Sequence, residues 1–154
     1  MFKEMRNKKQ QLSTVESIEI INNGEYGVMG TVGENGYPYT VPVNYVYHNE
    51  KIYFHCATSG HKIEDIDYNA KVSFCVVGNN TIIPKKFDTE FKSVILFGKA
   101  REVFDKEKEE GLIAILQRFS SDHIPAGEKY IKAMWDKTKV FEIVVEHMSG
   151  KASE

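Results

Sequence analysis

Two short constellations in this chain carry the residue types of a site for an anion and a flat ring. The first is Ser59-Gly60-His61-Lys62, at the predicted start of a helix over residues 60–68. Ser59 is of N-cap type. The first N–H groups of a helix have no acceptor inside it, and its dipole adds partial positive charge there, so such a corner attracts phosphate. Lys62 adds a full charge in the first turn, and Gly60 permits close backbone approach. The plainer reading is a solvated helix start. The second constellation is His55-Cys56, at the end of a predicted strand just before that corner. Histidine changes charge near neutrality and can move protons. Cys56 suits packing, with its backbone open to contact. Together the two suit a flat heterocycle that carries a phosphate.

His48, His55, Cys56 and His61 are also metal-ligand types, but their placement argues against zinc. His55 and Cys56 are neighbours in a strand and point to opposite faces. A structural zinc needs about four convergent ligands, and the chain has no CxxC or HExxH.

The elements around these residues must present two walls beside the corner. Residues 37–47 place Tyr37, Tyr39, Val41, Val43, Tyr45 and Tyr47 at the odd positions, a period-two strand. Pro38 and Pro42 cannot donate to a central ladder, which predicts an edge, a bulge or a bend around a small barrel. Ile52, Phe54 and Cys56 alternate with Tyr53 and His55 in the next strand. Ser13-Thr14-Val15-Glu16 is a capping box. It opens a helix with Val15, Ile18 and Ile21 on one face, stopped at Asn23-Gly24. Residues 26–32 read as a strand and Glu34-Asn35-Gly36 as a hairpin turn. Residues 71–77 are a strand, and 78–90, with Asn79, Asn80 and Pro84, a turn-rich mobile loop. Residues 91–104 are a long strand and 106–119 a helix with a stripe of Leu112, Ile115, Leu116 and Phe119. After a break over 120–127 come a short helix over 128–136 and a last strand over 140–145.

The composition is that of one globular domain over residues 1–154, with 42% hydrophobic residues. A net charge of −2 gives no electrostatic case for nucleic acid or an anionic membrane as partner. No apolar run is long enough to span a bilayer. The opening MFKEMRNKKQQ is charged and has no apolar core, so no signal peptide is expected. Two cysteines do not make a disulfide framework, and reduced thiols in a cytoplasmic protein are expected. No GxGxxG follows a strand, so no stable Rossmann site for NAD(P)H is expected.

The segments GEYGVMGTVGENGYPYTVPVNYVY, KIYFHCATSGHK, NAKVSFCVV, FKSVILFGKARE and EHMSGK span nearly the whole chain. In that order and spacing they resemble the flavin-binding split-barrel superfamily of pyridoxamine 5′-phosphate oxidase, and within it the 5-nitroimidazole-resistance (Nim-type) branch. The resemblance implies a mainly β fold, a six-stranded split barrel with peripheral helices. It implies a homodimer with two FMN sites at the interface, each built from both chains. It also implies FMN-dependent oxidoreductase chemistry of the nitroimidazole-reductase type, with a small-molecule substrate and a donor such as NAD(P)H docking transiently. Phosphate contacts are implied for Ser59, Gly60, His61 and Lys62; the superfamily usually has an Arg-Lys pair here, and His61 replaces the arginine. Ring contacts are implied for the backbone of Pro42, Val43 and Asn44 and for His55 and Cys56, and a place in the cofactor site for Ser93 and its charged neighbour Lys92. His55 is the implied catalytic residue, and Ser93 aligns with a glutamine that contacts flavin in the oxidase branch. The C-terminal EHMSGKASE does not match the substrate-binding segment of authentic pyridoxamine phosphate oxidases. Two alternatives stay open. One is a flavin- or haem-binding barrel that stores, senses or degrades its ligand without such turnover. The other is a barrel that has lost its cofactor and serves as an interaction module, against which the intact corner at Ser59 argues.

Overall fold

The computed structural model describes residues 1–153. In chain order the elements are α1 (Thr14–Asn23), β1 (Tyr26–Val32), β2 (Pro38–Asn44), β3 (Val46–His48), β4 (Lys51–Cys56), α2 (His61–Tyr68), β5 (Lys71–Ile83), β6 (Asp88–Val103), α3 (Asp105–Phe119), α4 (Ile124–Met134) and β7 (Lys139–Ser153). All strands pair antiparallel in one sheet of order β2-β1-β5-β6-β7-β4-β3. No helix among the described residues is long and apolar enough to cross a membrane.

The strand expected over 37–47 is two strands, which makes the sheet seven-stranded rather than six. β2 runs along β1 from Tyr26↔Asn44 to Val32↔Pro38, at one edge of the sheet. β3 runs along β4 at the other edge. The chain crosses between the two edges at Tyr45, and that crossing curls the sheet into a split barrel. Tyr45 is 1% exposed; its hydroxyl donates to the Ile21 carbonyl at 2.5 Å and its ring meets Phe74 edge-on. Period-two spacing cannot show such a crossing, because both neighbours of the break keep the alternation. The prolines behave as their chemistry requires, both on an edge strand.

The barrel interior holds Met29, Ile52, Phe54, Phe74, Leu96, Phe141 and Ile143. Phe54 and Phe141 are cross-strand partners with stacked rings 5.5 Å apart. A second apolar layer lies on the outer face of the sheet, where Tyr53, Val103 and Val140 meet Leu112 and Ala114 of α3. β4 therefore turns Ile52, Phe54 and Cys56 inward and Tyr53 and His55 toward the helices.

Glu142 of β7 is a carboxylate in that outer layer, 1% exposed. Arg101 donates to it from Nε at 2.6 Å and Lys51 from Nζ at 3.1 Å. Arg101 also reaches Glu107 at the start of α3, from Nη2 at 2.6 Å. Burial alone would push the Glu142 carboxyl up; the hydrogen bonds and charges of Lys51 and Arg101 outweigh it and hold it below the usual carboxylate range. This cluster ties the first turn of α3 to the sheet.

Other expectations need correction. The loop expected over 78–90 is a hairpin arm: β5 and β6 stay paired to Ile83↔Asp88, with a bulge between Val77 and Asn79. Asparagine, glycine and proline mark turns in general, but here only Pro84–Lys86 and Phe87, at φ +51°, make one. The last strand does not stop at 145; it continues to Ser153 along β6. α4 begins at Ile124, earlier than expected, because Pro125 fits the first turn of a helix. The Ser13–Glu16 capping box is present in both directions. Ser17 and Ile21, however, are the buried side chains of α1, while Val15 is exposed.

A Cβ on Gly98 would lie 2.2 Å from the Val144 carbonyl oxygen, at the bulge between β6 and β7. Backbone cannot yield as a flexible side chain can. Gly98→Ala should lower stability by about 2 kcal/mol, within the usual range for overpacking. Urea unfolding with an unchanged m-value would show it as a shift in midpoint.

Candidate functional site

The corner before α2 is built differently from the expectation in one respect. Gly60, not Ser59, is the N-cap, and no side chain caps the helix. Gly60 stands at φ +152°, a conformation that favours glycine. Its contribution is that turn rather than close packing, since an added Cβ would meet no protein atom within 4 Å. The Glu64 N–H is the first to bond back, to the Gly60 carbonyl at 3.1 Å. The N–H groups of His61, Lys62 and Ile63 thus have no acceptor within the helix.

His61 is held on two sides. Its ring stacks on Tyr39 of β2 at 3.8 Å, and its Nε2 lies 3.3 Å from Asp65 Oδ2. Asp65 is buried and also accepts from Thr31 Oγ1 at 2.7 Å. Tyr39, Thr31 and Asp65 were not expected in the site. Asp65 lies one helical turn after His61, the spacing that brings side chains together. Lys62 is half-buried and makes no ion pair with any described residue. Its charge reaches the inward-facing Cys56: burial pushes that thiol up, and Lys62 and Lys139 pull it back.

The Tyr39–His61 stack brings β2 beside the start of α2, and the other end of β2 lies near His55. Pro42 is exposed on the edge, while Val43 packs toward the barrel interior. Asn44 donates from Nδ2 to the Glu25 carbonyl at 2.9 Å, which leaves its Oδ1 for another donor. Asn44 and His55 share a groove of about 680 Å³ between the sheet and the α3–α4 pair. His55 is exposed at the residue level, yet the protein around it still disfavours its charged form. Desolvation sets its pKa below the ordinary value, which favours neutral imidazole near pH 7.

The far wall of that groove is the apolar stripe read in the sequence of α3. Leu112 packs into the outer layer, but Ile115, Leu116 and Phe119 line the groove and Phe119 is exposed. A stripe pattern shows which face is apolar, not whether a neighbour covers it.

Within one chain β2 runs from the His61 stack at Tyr39 to the His55 groove at Asn44, so Pro42 and Val43 lie on the strand between the corner and His55. The structure does not bring Lys92 and Ser93 to them. Both lie on β6, and Lys92 borders a separate cavity of about 460 Å³ beside Glu16 and Glu19 of α1.

A family model described as pyridoxamine 5′-phosphate oxidase matches residues 13–152. No curated protein matches the chain. Solved structures share the fold. A candidate 5-nitroimidazole antibiotic resistance protein from Bacteroides thetaiotaomicron is 24% identical, with TM-score 0.75 over 94% of this chain and 90% of that one. An FAD-binding protein from Mesorhizobium loti is 23% identical, with TM-score 0.65 over 94% and 98%. An FAD- and haem-binding protein from Mycobacterium smegmatis is 18% identical, with TM-score 0.79 over 96% of this chain and 74% of that one.

Proposed function

This chain belongs to the pyridoxamine 5′-phosphate oxidase family, a flavin-binding split-barrel family, and from that premise we propose that it binds FMN and acts as an oxidoreductase of the nitroimidazole-reductase type. The observation that carries the reading is the uncapped start of α2, with Lys62 free of ion pairs among the described residues, beside the wall made by β2 and β4.

The residues present fit the cofactor. One phosphate suits the open N–H groups of His61, Lys62 and Ile63 and the Lys62 ammonium. The edge backbone of β2 near Pro42 and Val43, with Asn44 Oδ1, offers donors and acceptors for the polar rim of a flat ring. His55, neutral near pH 7, can orient a substrate or pass it a proton. When bound, the flavin would supply the electron transfer. His61 cannot form the bidentate fork of the arginine it replaces; stacked on Tyr39 and held by Asp65, it serves to shape the corner. A donor such as NAD(P)H would dock transiently.

We read the active form as a homodimer. Ile95 and Phe97 on the outer face of β6, and Phe87 at the tip of the β5–β6 arm, are exposed apolar side chains that a second copy would cover. Lys92 and Ser93 would then serve the site from the partner chain. Light scattering of flavin-loaded protein should give about twice the chain mass of 17.6 kDa; a fully loaded monomer would overturn the shared site.

The phosphate placement has its own test. FMN should bind more tightly than riboflavin, and Lys62→Ala should weaken FMN by about 2 kcal/mol, the scale of a lost charge-assisted hydrogen bond. Equal titration curves for FMN and riboflavin would remove the phosphate from this corner. The absorbance spectrum of the protein as isolated separates flavin from haem.

A further inference from the structure

The groove beside His55 has a composition that neither a phosphate corner nor a flavin edge requires. Its helical wall is apolar, with Ile115, Leu116 and Phe119 from α3 and Tyr130 and Met134 from α4. Its polar members are few, chiefly His55 and Asn44 from the sheet and His123 from the turn before α4. The imidazoles of His55 and His123 make no hydrogen bond or ion pair with any described residue. At about 680 Å³ the cavity lies within the range of small-ligand sites, which are typically apolar clefts with a few placed polar groups.

α4 lies directly against α3. A Cβ on Gly127 of α4 would lie 2.1 Å from Leu116 Cδ1. That close approach sets α4 against α3, and the two helices form one wall of the groove. Ala126, the neighbouring residue, is exposed and lines the groove without belonging to either core. A concave, mainly apolar lining that also holds two unpartnered imidazoles favours a small molecule over a protein surface.

We propose that this groove is the substrate site, and that it takes a planar aromatic molecule of one or two rings bearing an acidic or hydrogen-bond-accepting group. The ring lies against the α3–α4 wall, and the polar group faces His55 and His123. That the bound molecule is the flavin's electron acceptor rests on the FMN reading above; that an aromatic acid binds here does not.

The test uses 2-naphthoate as probe on the full chain, with and without added FMN, followed by calorimetry and by methyl NMR shifts. Saturable binding with shifts at Leu112, Ile115 and Leu116 is expected. Ala126→Trp should fill the groove and weaken the probe at least tenfold, and Ile115→Ala, a smaller change, should weaken it several-fold. Circular dichroism and the NMR fingerprint of both variants should match the parent. Undiminished probe binding in both variants, or shifts confined to other surfaces, overturns the proposal. So does a change from dimer to monomer in Ala126→Trp with no saturable probe binding to the parent, which would make the groove a self-association face. Probe binding that persists in protein unable to retain FMN would uphold the groove and sink the flavin reading instead.

Discussion

Arg101→Met should lower the unfolding free energy by about 3 kcal/mol, the lower end of what stripping one partner from a buried ion pair costs. Glu142 is 1% exposed, so the variant leaves its Oε1 without the 2.6 Å donor inside the protein. Lys51 still serves Oε2, and half of the Arg101 side chain is exposed, which keeps the loss from the upper end. The same variant releases Glu107, so the first turn of α3 loses its tie to the sheet. The effect has a pH signature. Glu142 has a folded pKa below its unfolded value, so its contribution is present above the ordinary carboxylate range and is lost as pH falls through the folded pKa. Parent and variant stabilities should therefore differ at pH 7 and converge in acid. Denaturant melts from pH 7 downward would show it, and a difference independent of pH would mean that Arg101 acts through packing alone.

The parts of the fold that sequence shows best are those where local chemistry and tertiary contacts agree. Ser13 and Glu16 satisfy each other's backbone, so the start of α1 is written in four residues. The hairpin turn ends on Gly36 at φ +78°, a conformation glycine adopts freely, while Asn35 has no positive φ. The misses come from long-range pairing. Nothing local in Asn79, Asn80 and Thr81 says that Lys92, Phe91 and Glu90 lie opposite them; the partner strand holds that arm in place. The same holds for residues beyond Val145, which continue as strand because β6 is long enough to receive them. Tyr45 is the reverse case. Its position in an alternating run hides that it leaves one sheet edge for the other.

The candidate site divides along the same line. His55, the corner at Gly60 and Lys62 lie within eight residues, and sequence order alone places them together. The closing of that site depends on Tyr39 against His61 and on Asp65 beneath it, contacts made across the barrel's curl. The apolar wall of α3 and α4 comes from more than fifty residues further on. Its stripe was visible as a pattern, but only the packing shows that part of it faces an open groove.

His55→Ala should leave FMN occupancy within a few-fold of the parent and lower turnover of a nitroaromatic acceptor by about 10²-fold, the low end of general acid–base catalysis. The separation follows from geometry. His55 faces the groove from the outward side of β4, whereas the phosphate corner begins five residues later at Gly60. Removing the imidazole therefore takes away a proton donor without touching the anion grip. The direction of its pKa adds a second readout. Desolvation sets His55 below the ordinary imidazole value of about 6.5. Its acid form is then scarce at pH 7, and a step that needs it should speed up as pH falls toward that lowered pKa. The parent should show this acid limb and His55→Ala should lack it, while His55→Gln should keep binding of the substrate without restoring the limb. Loss of FMN from the variant would make His55 a cofactor-binding residue. Full occupancy with unchanged turnover and an unchanged pH profile would remove it from the chemistry altogether.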